Sequence, residues 1–189
     1  MKSPRKGGTG LGLLLFDITV EQRAKWHDLP GAVANSGTFD FPVRREVVLG
    51  ATFDGLANGG DLRLTPHFIE TAKKLERQGV RAIAGECGFM AIFQQEISAA
   101  VSVPVITSSL IQVPLVYRML GKNQRVGVLT YNSKSLSEKH FNGVGWSSKD
   151  IPISVAGVEQ KESWPGRLTA GPFACSILLM NTRGNAWRY

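Results

Sequence analysis

Cys87 stands in the run Gly85-Glu86-Cys87-Gly88-Phe89, where a short apolar stretch ends in a thiol flanked by glycine. A helix is expected to follow, so the sulfur should lie at the mouth of an α/β sheet, open to solvent and beside a helix N-terminus. A thiolate forms most easily in such a place and can act there as base or nucleophile. Open parallel sheets bind ligands at the carboxyl ends of their strands. The other groups this chain places there are Asp17, Thr107-Ser108-Ser109, and Thr130 with Asn132 and Ser133. A thiol, small hydroxyls and the backbone N–H groups of Gly88 and Phe89 together suit a small carboxylate. No lysine follows a glycine-rich turn, which disfavours a nucleotide phosphate.

Each of these residues also has a plain structural reading. A buried cysteine is often an inert small hydrophobe. Ser108 and Ser109 can cap the helix after them, and Asp17 can serve a turn. Glu86 would oppose thiolate formation if its side chain faced the sulfur. Ser135 and Glu138 have the spacing of a capping box. Gly8-Thr9-Gly10-Leu11-Gly12 precedes its strand, so it is not a dinucleotide fingerprint. The aromatic residues after Cys87 read as core.

The elements that must position these groups follow from periodicity. Residues 10–16 form an apolar run and are predicted as a fully buried first strand, with 17–41 a long loop and 47–49 a second strand. Thr65 and Pro66 open a helix as N-cap and first residue; Phe68, Ala72 and Leu75 share its inner face, and Gly79 ends it. Residues 80–84 are a third strand, and Phe89, Ile92, Phe93 and Ile97 have helical spacing. Residues 103–107 and 125–130 are further strands, separated by a helix through Val113, Val116, Tyr117 and Leu120. A helix from Ser135 and a strand at 151–155 complete the alternation. This order predicts an α/β fold: a doubly wound, largely parallel sheet with helices on both faces.

Composition narrows the function. The 189-residue chain is 43% hydrophobic and 20% charged, ordinary values for a globular protein. Of its formal charge of +7, three units come from Lys2, Arg5 and Lys6 and three from Arg167, Arg183 and Arg188, leaving +1 between. Basic residues gathered on two tails argue against a nucleic-acid partner. Cys87 and Cys175 do not form a C-x-x-C pair, and His27, His67 and His140 are scattered, so no metal site is expected. The apolar run before Asp17 is too short for a membrane span and lacks a cleavage site. The expected compartment is the cytoplasm.

Residues 79–145 resemble the cofactor-independent aspartate/glutamate racemase superfamily, in its hydantoin-racemase-like branch. The elements that carry the likeness are Gly85-Glu86-Cys87-Gly88-Phe89, then Val103-Pro104-Val105-Ile106-Thr107-Ser108-Ser109-Leu110, then Arg125-Val126-Gly127-Val128-Leu129-Thr130. The segment Pro30-Gly31-Ala32-Val33-Ala34-Asn35 with Thr38-Phe39-Asp40-Phe41-Pro42-Val43 also looks like that branch's loop after the first strand. The resemblance implies flavodoxin-like racemase lobes with a cysteine from each facing the substrate, and no cofactor. It makes Cys87 the catalytic thiol that removes a proton at Cα of a small amino or related carboxylic acid. It gives Asn35, Gly88, Phe89, Ser109 and Thr130 to the substrate. The implied organisation is a basic flexible leader at 1–9, a first lobe at 10–121, the start of a second at 122–162, and an atypical tail at 163–189 that need not fold. Cys175 does not match the second-lobe cysteine motif, so the second lobe is read as truncated and racemisation as impaired, since inversion needs a base and an acid on opposite faces. Two alternatives stay open: a non-catalytic paralogue binding a small carboxylate or partner subunit, and one-thiol decarboxylase or isomerase chemistry. Exposed apolar sheet edges would favour a homo-oligomer.

Overall fold

The computed structural model describes residues 10–57, 60–157 and 176–180. The expected leader, Cys175 and the tail other than 176–180 lie outside the described residues. In chain order, β1 (Leu11–Leu15) leads to α1 (Val20–Trp26), β2 (Val43–Val47), α2 (Phe53–Ala57), α3 (Thr65–Arg77) and β3 (Ile83–Gly85). A 3₁₀ turn over Gly88–Phe93 runs into α4 (Gln94–Ala100). Then come β4 (Val105–Ile106), a 3₁₀ turn at Ser109–Gln112 and α5 (Val113–Arg118). β5 (Arg125–Thr130), α6 (Glu138–Gly143), β6 (Ile153–Gly157) and β7 (Ser176–Met180) follow.

The first sheet has the order β2-β1-β3-β4 and every pairing in it is parallel. β1 is central because its apolar run can be buried on both faces. Leu14 packs with Phe68, Ala72 and Leu75 of α3 on one side, while Leu13 and Leu15 pack with Ala34 on the other. Phe16, Phe68 and Phe93 are fully buried, worth roughly 1.5–3 kcal/mol each. In the second sheet, β5 pairs parallel with β6 and antiparallel with β7. The fold is thus α/β with a largely parallel sheet, as expected. Among the described residues no helix is long and apolar enough to cross a membrane.

Several expected boundaries move. The loop predicted at 17–41 contains α1, whose Thr19 and Gln22 exchange capping hydrogen bonds. This helix has no apolar stripe to betray it; Val20 is 77% exposed. The second strand lies at Val43–Val47, not 47–49; Val48 N–H still bonds the Leu15 carbonyl at 3.0 Å, and the chain then turns, Ala51 N–H bonding the Val48 carbonyl at 3.0 Å. Thr65 is inside α3, because a 3₁₀ turn capped by Asp61 precedes it. The cap of α6 is Ser137, with His140 as its partner, instead of Ser135 with Glu138. Asn132 Oδ1 takes the Ser135 N–H, and Glu138 accepts from Ser147 and Ser148.

Candidate active site

β3 delivers Cys87 to the middle of the first sheet. Glu86 N–H still bonds the Leu14 carbonyl at 3.2 Å, so β1 guides the chain to the residue before the thiol. Cys87 keeps an extended backbone (φ −131°, ψ 133°) and precedes the 3₁₀ turn, where its carbonyl accepts from Met90 N–H. The thiol expected open to solvent is instead 2% exposed, within the cluster that holds Phe89, Met90 and Phe93. Two residues from the second half of the chain contact rings of the first half, one of them Phe89, two residues past the thiol. Tyr131, just past β5, meets Phe53 edge-on at 4.8 Å between ring centroids, and Phe53 meets Phe89 at 6.3 Å. His140 of α6 meets Phe89 at 5.3 Å.

Glu86 has partners in the first half of the chain. Its carboxylate accepts from Phe16 N–H and pairs with His27 Nε2 at 3.0 Å, with the two side chains only 4% and 14% exposed. The pair ties the end of α1 to the end of β3.

The remaining expected residues separate into groups. Gly88 and Phe89 are buried at the start of the 3₁₀ turn beside Cys87. Ser108 caps the next turn, accepting from Leu110 N–H at 3.2 Å, which leaves Ser109 for another role; the Ser109 Oγ is buried without a hydrogen-bond partner. Thr107 is committed to Gln94, whose Oε1 accepts from both its N–H and its hydroxyl at 2.8 Å. Thr130 is buried at the end of β5, one residue from Tyr131. Asn35 is not brought to Cys87. Its Oδ1 accepts from Gly37 N–H at 2.7 Å and its Nδ2 donates to the Leu29 carbonyl, so it shapes its own loop. Asp17 likewise serves a turn, accepting from Gly50 N–H at 2.9 Å.

Sequence reasoning missed His140. It is fully buried, and burial holds its pKa below the ordinary histidine range. Its Nδ1 accepts from Ser137 N–H at 3.1 Å, while its Nε2 is buried with no partner. An unpaired buried donor costs about 1–3 kcal/mol. The available signal was the Ser137-to-His140 spacing, hidden because histidine is an unusual member of a capping box. His27 was missed because its partner Glu86 is far away in sequence.

No family model matches the chain. It is 31% identical over 155 residues to a dimethylsulfoniopropionate lyase from Durusdinium sp. clade D, across 77% of this chain and 48% of that enzyme. It is 36% identical over 108 residues to dimethylsulfoniopropionate lyase 3 from Emiliania huxleyi, across 56% of this chain and 28% of that enzyme. Further Emiliania huxleyi relatives bear the same enzyme name. The chain therefore spans less than half the length of the curated relatives it matches. Among solved structures, an aspartate racemase homologue from Pyrococcus horikoshii is similar over 82% of this chain and 67% of its own, with 19% identity and a TM-score of 0.42. The expectation of a racemase of the hydantoin branch is corrected by the curated relatives, which are named lyases. Neither alternative, the non-catalytic paralogue nor the one-thiol decarboxylase or isomerase, agrees with that name. Racemisation and lyase elimination both open with loss of the proton beside a carboxylate, so a thiol at a strand end does not separate those two.

Proposed function

We propose that this chain supports lyase chemistry on dimethylsulfoniopropionate, with Cys87 as the base. The observation that carries the reading is the 31% identity to the Durusdinium lyase over 77% of this chain. The substrate is a carboxylate whose β-carbon bears a dimethylsulfonium group. The Cys87 thiolate takes a proton from Cα, the C–H electron pair becomes the Cα–Cβ double bond, and the Cβ–S bond breaks with its electrons going to sulfur. Dimethyl sulfide leaves neutral, acrylate remains, and the proton on Cys87 returns to solvent. This elimination needs one base and no acid on the opposite face, unlike inversion of a carbon centre.

The strand-end groups fit the two ends of such a substrate. The N–H groups of Gly88 and Phe89 and the Ser109 hydroxyl suit the carboxylate. The aromatic cluster of Phe53, Phe89 and Tyr131 suits a sulfonium cation. Because Cys87 is buried, the packing around it must open to admit substrate. Small carboxylates are the proposed partners, with metal and organic cofactors unnecessary to the step.

The test is dimethyl sulfide release in headspace above the full chain, compared with Cys87→Ser. Removing a positioned general base is expected to slow release by on the order of 10²- to 10⁴-fold. No release from the wild-type chain, or equal release from both, overturns the assignment.

A further inference from the structure

Among the described residues, the buried side-chain nitrogen and oxygen atoms without a hydrogen-bond partner are Gln78 Oε1, Ser109 Oγ and His140 Nε2. Gln78 lies just past α3, where its Nε2 bonds Glu46, remote from the strand ends that matter here. The other two belong to one junction. α6, which carries His140, packs against both the Gly88–Phe93 turn and the Ser109–Gln112 turn, and those two turns pack against each other.

The tautomer of His140 follows from its partner. The N–H and the Oγ of Ser137 both lie 3.1 Å from Nδ1; the N–H can only donate, so we assign Nδ1 as the acceptor, with the hydroxyl able to donate to it as well, and place the neutral ring's hydrogen on Nε2. That hydrogen therefore points from a fully buried ring with nothing to accept it. Folds rarely leave such a donor idle, and one held in place without a partner marks a position for a ligand or strain kept for function. The ring lies edge-to-face on Phe89, two residues beyond the thiol.

We propose that His140 Nε2–H is a donor to the substrate carboxylate at the Cys87 site, with the Ser109 hydroxyl as its companion. The substrate's identity rests on the lyase reading; recognition of the carboxylate does not. A neutral donor suits this task. When the α-proton leaves, negative charge spreads onto the carboxylate oxygens, and a hydrogen bond already aimed there strengthens without reorganisation. His140 is thus a binding residue whose contribution grows along the reaction.

The experiment follows the imidazole N–H signals of the full chain, labelled with ¹⁵N-histidine, during titration with acrylate and with propionate. The expected result is a saturable downfield movement of the His140 Nε2–H signal. His140→Phe keeps the ring and its contact with Phe89, and is expected to bind acrylate about ten- to a hundredfold more weakly. The inference is overturned if neither carboxylate binds, if acrylate saturates the chain while the His140 signal stays still, or if a folded His140→Phe variant binds acrylate as tightly as the parent. The parent spectrum decides the matter even where the variant fails to fold. If acrylate moves the signal but dimethylsulfoniopropionate yields no dimethyl sulfide, the lyase reading falls and the carboxylate site stands.

Discussion

A Cβ on Gly85 would stand 2.7 Å from the Thr107 carbonyl oxygen and 2.9 Å from Met90 Sδ. The first neighbour is backbone and cannot rotate away, so β3 and β4 approach this closely only because the residue before Glu86 has no side chain. Thr107 is further fixed by Gln94, whose Nε2 also donates to the Val105 carbonyl at 2.9 Å. Gly85→Ala is therefore expected to cost about 1–3 kcal/mol by overpacking, read as a lower urea midpoint with an unchanged slope. It should also reduce dimethyl sulfide release beyond the fraction unfolded, because the strain falls two residues from the thiol. An alanine variant of parental stability would show that β4 yields easily. At this scale the sequence was informative about position and silent about cover. Gly85-Glu86-Cys87-Gly88 gives the strand end, but Tyr131 and His140 come from remote segments, and no local pattern announces their contacts with Phe53 and Phe89.

Elements with an apolar stripe or an unbroken apolar run were legible, and those held by polar contacts were not. β1 and α3 bury their hydrophobic residues, so period and run length found them. α1 rests on its Thr19 capping box and the His27–Glu86 pair, neither of which has a hydrophobic period. α6 is short, and its attachment depends on close backbone approach. A Cβ on Gly143 would collide with the Ala91 carbonyl oxygen and lie 2.8 Å from Ile92 Cα. Nearby, Trp146 Nε1 donates to the Leu110 carbonyl at 2.9 Å, so the end of α6 is bound to both 3₁₀ turns. Gly143→Ala is expected to lift α6 from the Gly88–Phe93 turn and cost about 1–3 kcal/mol. Hydrogen exchange should report faster opening at the Trp146 indole N–H while the amides of β1 keep their protection. Uniform loss of protection across both sheets would instead mean that α6 does not move as a separate unit.

On the scale of the whole molecule, His140 lies where the second half of the chain meets the first, which makes that junction sensitive to acid. Burial depresses its pKa, and the nearby Lys139 charge acts in the same direction. The unfolded chain has an ordinary histidine, with a pKa of about 6.5. Above that value both states are neutral at His140 and its contribution to stability is complete. As pH falls below it, the unfolded chain binds a proton that the folded ring refuses, so stability declines until the folded pKa is passed. One differential proton corresponds to a slope of at most about 1.4 kcal/mol per pH unit. Urea unfolding between roughly pH 5 and 8 should therefore show stability dropping on the acid side of about 6.5, and His140→Phe should flatten that drop. Equal slopes in the parent and the variant would mean that His140 protonates alike in both states, which its full burial argues against.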